Sequence, residues 1–247
     1  MNGVAAIVVL DLKRLWVDRI RLVSSLIQPL LYLFVLGSGL GASSVMGRAG
    51  YLKFIFPGVV GLSLLFSGVF AAILIVFDRQ MGFFKAVLVA PLPRWSIAIG
   101  KVISGALQAL APALVLLLFM PLLGLVPGWL ELLELILAMA AAAVTFSALG
   151  VAVAARFHST TVFPIISNAI LLPMFFLSGA LFPLEAAPYW LQVAAHVDPV
   201  AYAIDLMRGA LLGRTYFPLW LGLPVLTGFI ALLTWLSTRV FASGEDA

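Results

Sequence analysis

Few residues in this chain of 247 could carry chemistry, and their spacing argues against most of it. The two histidines, His158 and His196, fall in different connections between apolar runs, with no second ligand at metal spacing. Because they lie in different connections, no nucleophile–base pair or metal cluster inside the bilayer is legible. Cysteine is absent, which excludes disulfides, thiolate catalysis and thiolate metal sites. Gly100-Lys101 comes nearest to a phosphate loop, but the earlier glycine and the following Ser or Thr of G-x-x-x-x-G-K-[ST] are missing. The chain is therefore expected to catalyse nothing alone and to bind no metal or cofactor.

What remains is a segment whose chemistry is docking. Residues 78 to 96, DRQMGFFKAVLVAPLPRWS, interrupt the apolar runs with a basic, aromatic, helix-length insert. Gly82 loosens its entry, Phe83, Phe84, Val87 and Leu88 present apolar contacts at helical steps, and Pro91 and Pro93 stop the helix ahead of Arg94. A helix of about two turns cannot bury such a face alone, so it lies on the membrane or fits a groove in another protein. Asp78 and Arg79 open the segment as an interfacial ion pair, placed where a gate would be.

The elements that must position these residues are membrane spans. Hydrophobic residues make up 64% of the chain and charged ones 10%, far from a soluble domain. A span needs about 20 mostly apolar residues, because the bilayer offers backbone groups no partner. Six stretches qualify, near 22–41, 55–77, 97–121, 132–155, 160–182 and 217–238. The expectation is a single all-α membrane domain over 1–247. Long continuous apolar runs exclude a β-barrel. The positive residues follow the short apolar patch Val4–Leu10, and no cleavage site appears, so the N-terminal segment is expected to be retained.

Orientation follows from Lys and Arg. With the N-terminus in the cytoplasm, that side collects Lys13, Arg14, Arg19, Arg21, Arg79, Lys85, Arg94, Lys101, Arg156 and Arg239, leaving Arg48, Lys53, Arg208 and Arg214 outside. An even number of spans returns the C-terminus to the cytoplasm, and the insert at 78–96 becomes cytoplasmic. The net charge of +4 reflects this bias toward the inner leaflet and does not imply nucleic-acid binding.

Along the chain, residues 4–20 mix apolar positions with Asp11, Lys13, Arg14, Asp18 and Arg19 at helical spacing, as an interfacial helix would. In that helix Leu12, Leu15 and Trp16 would face lipid and the charges water. Gln28-Pro29 should bend the first span, and Gln28 needs a helix partner or a water-filled path. Gly37 and Gly41 form a small-xxx-small step. Lys101 can snorkel to the cytoplasmic face, Gln108 matches Gln28 in kind, and AMAAAAV at 138–144 is a packing surface. Residues 183–216 are neither loop nor span. Two short helical patterns, near 187–196 and 199–212, are split by Asp198-Pro199 and suggest a re-entrant or interfacial hairpin on the outer face. Asp205 and Arg208, at i and i+3, are expected to pair locally.

These residues carry a resemblance to the membrane subunit of type 2 ATP-binding-cassette exporters, the group that includes daunorubicin-resistance and nodulation lipo-oligosaccharide export permeases. DRQMGFFKAVLVAPLPRWSIAIGK (78–101) resembles that family's coupling segment, with Asp78 where Glu is more usual. LPMFFLSGALFPLEAAPYWLQVAAHVDPVAYAIDLMRGAL (172–211) resembles its fifth span and outer re-entrant helices. The resemblance implies a half-transporter that pairs with a second permease copy and two soluble ATPase subunits, which bind the ATP and Mg. Gly82, Phe83, Phe84, Val87, Leu88 and Arg94 would then dock on the ATPase. A substrate path along spans one, two and five, with Gln28, Asn168, Phe175 and Phe176, would suit an amphipathic, lipid-like or drug-like cargo.

The rival class is a secondary transporter or channel driven by an ion gradient. It calls for acids near the bilayer midplane, whereas all ten Asp and Glu residues fall at span ends, in connections or near the termini. An intramembrane enzyme is disfavoured by the separation of His158 from His196.

Overall fold

The computed structural model describes residues 3–17, 19–44, 46–81, 94–157 and 159–243, and within these the chain is a bundle of helices without strands. Its α-helices are α1 (Gly3–Val17), α2 (Arg19–Leu31), α3 (Gly37–Ser43), α4 (Gly47–Ala71), α5 (Ile73–Gln80), α6 (Arg94–Leu116), α7 (Trp129–Ala154), α8 (Val162–Leu177), α9 (Tyr189–Val197), α10 (Pro199–Leu212) and α11 (Leu219–Ser243).

Five helical runs are long and apolar enough to cross a bilayer: Val23–Ala42, Gly47–Gln80, Trp95–Phe119, Trp129–Ala154 and Leu219–Arg239. The second begins earlier than the 55–77 expected from composition. Arg48 and Lys53 read as a loop by charge, but Arg48 is exposed and Lys53 half-buried, while Tyr51 and Phe54 turn into the core from the same helix. The fifth predicted span, 160–182, is a shorter helix, α8, of 16 residues. At 1.5 Å per residue it is about 24 Å long, under the roughly 30 Å of a hydrocarbon core. It ends where Gly179 takes φ +73°, a left-handed conformation glycine adopts without strain. Thr160 before α8 donates to Gln80 at 3.0 Å, and Ala180 after it meets Gly58, so α8 runs antiparallel beside α4 and α5 between those two levels.

Pro29 lies inside α2, three residues ahead of a change in helix type. The ring removes a backbone donor and crowds the carbonyl four residues earlier, and beyond it the run passes through a π-helix over Tyr32–Leu36 before α3 resumes.

The centre of the bundle is α4, packed against α6, α7 and α10. Lipid is as apolar as leucine, so close fit between helices has to replace the hydrophobic drive. Small residues provide that fit. A Cβ on Gly150 of α7 would lie 2.6 Å from the Val69 Cα of α4. Ala142 and Ala143, from the predicted packing run, are fully buried beside Phe146. By contrast α2 and α11 expose much of their apolar surface, including Val23, Ile27, Leu31, Trp220 and Trp235, and form the rim.

The two short helices predicted between the last spans are present as α9 and α10. Asp198 caps α10 by accepting from the Val200 N–H at 2.9 Å, with Pro199 at the first helical position, where its missing N–H costs nothing. Although short and charged, α10 is mostly buried against α4 and α7.

Candidate functional site

A cleft opens among α2, α4 and α6, with a volume of about 210 Å³. Its polar lining comprises two pairs four residues apart and so on one helix face, Ser24 with Gln28 on α2 and Ser63 with Ser67 on α4, together with Ser25 and, on α6, Gln108. Leu62, Phe66 and Phe70 supply apolar walls. The Ser63 hydroxyl, buried in this wall, has no hydrogen-bond partner among the described residues. Among the described residues no carboxylate, lysine, arginine or histidine lines the cleft. It can exchange hydrogen bonds with a neutral polar group and hold an apolar one, the chemistry of binding an amphipathic molecule.

Of the predicted path residues, Gln28 lines this cleft, and Gln108, its counterpart in kind, lines it from α6. Asn168, Phe175 and Phe176 of α8 are not among the lining residues. Phe175 is fully buried and packs edge-on against Tyr32, four residues beyond Gln28, at 6.2 Å between ring centroids, while Phe176 turns outward. The serines were missed because isolated Ser residues in an apolar run resemble ordinary packing positions. The i, i+4 pair Ser63 and Ser67, beside the like-spaced Ser24 and Gln28, was the available signal.

An ion cluster sits where α1 meets the ends of α5 and α6. Lys101 Nζ lies 3.1 Å from both Asp11 oxygens and 3.6 Å from Asp78 Oδ2. Ser104 donates to Asp11 at 2.8 Å, and Arg14 approaches Asp78 at 3.3 Å and Asp11 at 4.0 Å. Two cations and two carboxylates therefore balance. This corrects two expectations. Asp11, placed in water by the amphipathic reading of α1, is only 1% exposed, while Val9 and Leu10 point outward. Lys101 does not snorkel; its ammonium is held between carboxylates, because two buried acids need it there. Ile7 also packs against Gly100, so α1 is seated on α6.

Asp78 and Arg79, adjacent in sequence, point to different partners: Asp78 joins the cluster, and Arg79 donates to the Ala155 carbonyl at 2.9 Å. The docking residues Gly82, Phe83, Phe84, Val87 and Leu88, together with His158, lie outside the described residues. Arg94 begins α6, but its side chain is not described. Leu15 and Trp16 of α1 are likewise without described side chains. Among the described residues no group of three His, Asp or Glu is placed to hold a metal ion.

The expected Asp205–Arg208 pair is replaced by longer-range bonds. Asp205 accepts the Tyr216 and Phe217 backbone N–H groups at 2.8 and 2.9 Å, folding the link after α10 back onto it. Arg208 donates to the Gly179 carbonyl at 2.9 Å and stacks over the Phe54 ring at 4.2 Å. Two otherwise orphaned backbone donors hold the carboxylate better than one side chain a turn away.

Residues 3–212 match the ABC-2 type transporter family. Nodulation protein J of Rhizobium leguminosarum bv. trifolii is 32% identical over 224 residues, covering 89% of this chain and 84% of its own. A probable doxorubicin resistance ABC transporter permease protein, DrrC, of Mycobacterium tuberculosis is 29% identical over 227 residues, covering 88% and 76%.

Proposed function

The chain belongs to the ABC-2 type transporter family as a multi-pass membrane permease, and from that premise we propose that it is the half-transporter of an ATP-driven exporter. Two separate ATPase subunits bind ATP and Mg, a second copy of this permease completes the path, and an amphipathic, lipid-like or drug-like molecule is moved out of the cytoplasm or inner leaflet. The name of one similar protein, a probable doxorubicin resistance permease, supports a drug-like cargo. Six crossings with both termini in the cytoplasm fit the charge bias and the antiparallel course of α8 beside α4 and α5.

The observation that carries this reading is the position of the Asp11–Lys101–Asp78–Arg14 cluster. Asp78 lies in the last turn of α5, ahead of residues 82–93, and Lys101 lies about two turns into α6, which follows them. A push on 82–93 by closing ATPase subunits would reach both helix ends through the cluster and seat α1 with them. Because α4 and α6 also wall the cleft, their relative tilt would widen or close it. In this scheme Asp78 takes the gate-side position through Lys101 and Arg14 rather than through Arg79.

The test is transport by the permease reconstituted with its ATPase partner. Export that requires ATP and survives collapse of the proton gradient is expected. Export that persists without ATP and fails with the gradient would favour the ion-driven alternative.

A further inference from the structure

We infer that the pocket at the Gly47 end of α4, opposite the Asp78 cluster, binds the phosphate headgroup of an anionic lipid, whose acyl chain lies along the groove beside it. The pocket is about 560 Å³ and is lined by Lys53, Arg208 and Arg214 with Glu185 and Asp205. Both oxygens of Asp205 are already engaged by backbone N–H groups. Among the described residues none of the three cations has a carboxylate within ion-pair distance.

Arg208 is the built part of the site. Its side chain is 7% exposed, one nitrogen is held by the Gly179 carbonyl, and the plane is fixed by Phe54, while Nε has no partner among the described residues. A guanidinium has five donors in a fixed fork suited to phosphate oxygens, and burying one with a single acceptor leaves most of that capacity unmet. An arriving phosphate would satisfy it, with Lys53 and Arg214 adding charge from the more open part of the lining.

The lipid tail follows from a second cavity. A groove of about 460 Å³ between α7, α10 and α11 shares Thr215 with this pocket and, apart from Glu134 and Thr215, has no polar side chain. Leu137, Ala141, Leu206, Leu219 and Leu223 line it. A polar, cationic pocket that shares the Thr215 wall with an apolar groove complements an anionic amphiphile. A free phosphate would leave the groove empty, and a zwitterionic lipid would leave the cations partly unmet.

The permease, purified in a neutral detergent, can be probed by native mass spectrometry with dioleoylphosphatidylglycerol, dioleoylphosphatidylcholine or inorganic phosphate. Retention of phosphatidylglycerol over phosphatidylcholine by about tenfold or more is expected, falling by a similar factor in the Lys53→Gln/Arg214→Gln variant. That variant leaves the Arg208–Gly179 bond intact, so loss of binding with an unchanged melting temperature supports the site. Equal retention of the two lipids, undiminished phosphatidylglycerol in the variant, or phosphate binding as tight as the lipid would each overturn it.

Discussion

Lys101 Nζ bridges Asp11 and Asp78, at 3.1 Å and 3.6 Å, and so ties the first helix of the chain to both helices that flank residues 82–93. Asp11 is the most deeply buried charge of the cluster, and its burial is tolerable only because Lys101 and the Ser104 hydroxyl face it.

Lys101→Met should therefore cost about 3–5 kcal/mol of stability, because it leaves an uncompensated buried carboxylate. Asp11→Asn added to it should recover part of that loss. Thermal unfolding of the single and double variants in detergent checks this, and strictly additive losses would show that the two side chains do not act as a pair.

The cleft prediction uses the absence of native cysteine. Ser67→Cys and Gln28→Cys should react with a hydrophilic thiol reagent and be protected by a transported molecule. Leu65→Cys, two residues before Ser67 on α4 but fully buried, should stay unreactive. Equal labelling at all three positions would mean that no cleft is present.

Gly150→Leu should disrupt the bundle, since any Cβ at 150 meets the Val69 backbone at 2.6 Å. Backbone cannot rotate away as a side chain can, so a loss of about 1–3 kcal/mol or more is expected, read as a lower melting temperature and broader gel-filtration peak. Gly128→Ala, with open space around the new Cβ, is the control.

Asp205→Asn should cost about 1–3 kcal/mol, because one of the two acceptors facing the Tyr216 and Phe217 N–H groups becomes a donor. If Asp205 acted chiefly on Arg208, pairing Asp205→Asn with Arg208→Gln would restore stability. No rescue is expected.

Much of this architecture was legible in residue types. Long apolar runs gave the helices, and Asp198-Pro199 marked the break between α9 and α10, because each effect is local to the backbone. Orientation of charged side chains was not. Asp11 on an amphipathic pattern reads as water-facing until Lys101, 90 residues away, is known to reach it. Asp205 reads as the partner of Arg208 until the chain returns at Tyr216. Local spacing overweights near neighbours, and both misplacements come from contacts that only the tertiary fold creates. The cleft was half legible: Gln28 stood out by its amide, but Ser24, Ser63 and Ser67 matter only because three helices bring them together.

The claim that a separate ATPase drives this permease through residues 82–93 is tested most directly by co-purification of the two proteins, comparing the unaltered chain with Phe84→Asp and Leu88→Asp. Both variants are expected to insert in the membrane normally, to lose the ATPase from the purified complex, and to abolish stimulated ATP hydrolysis. An ATPase that co-purifies undiminished with both variants would contradict the account.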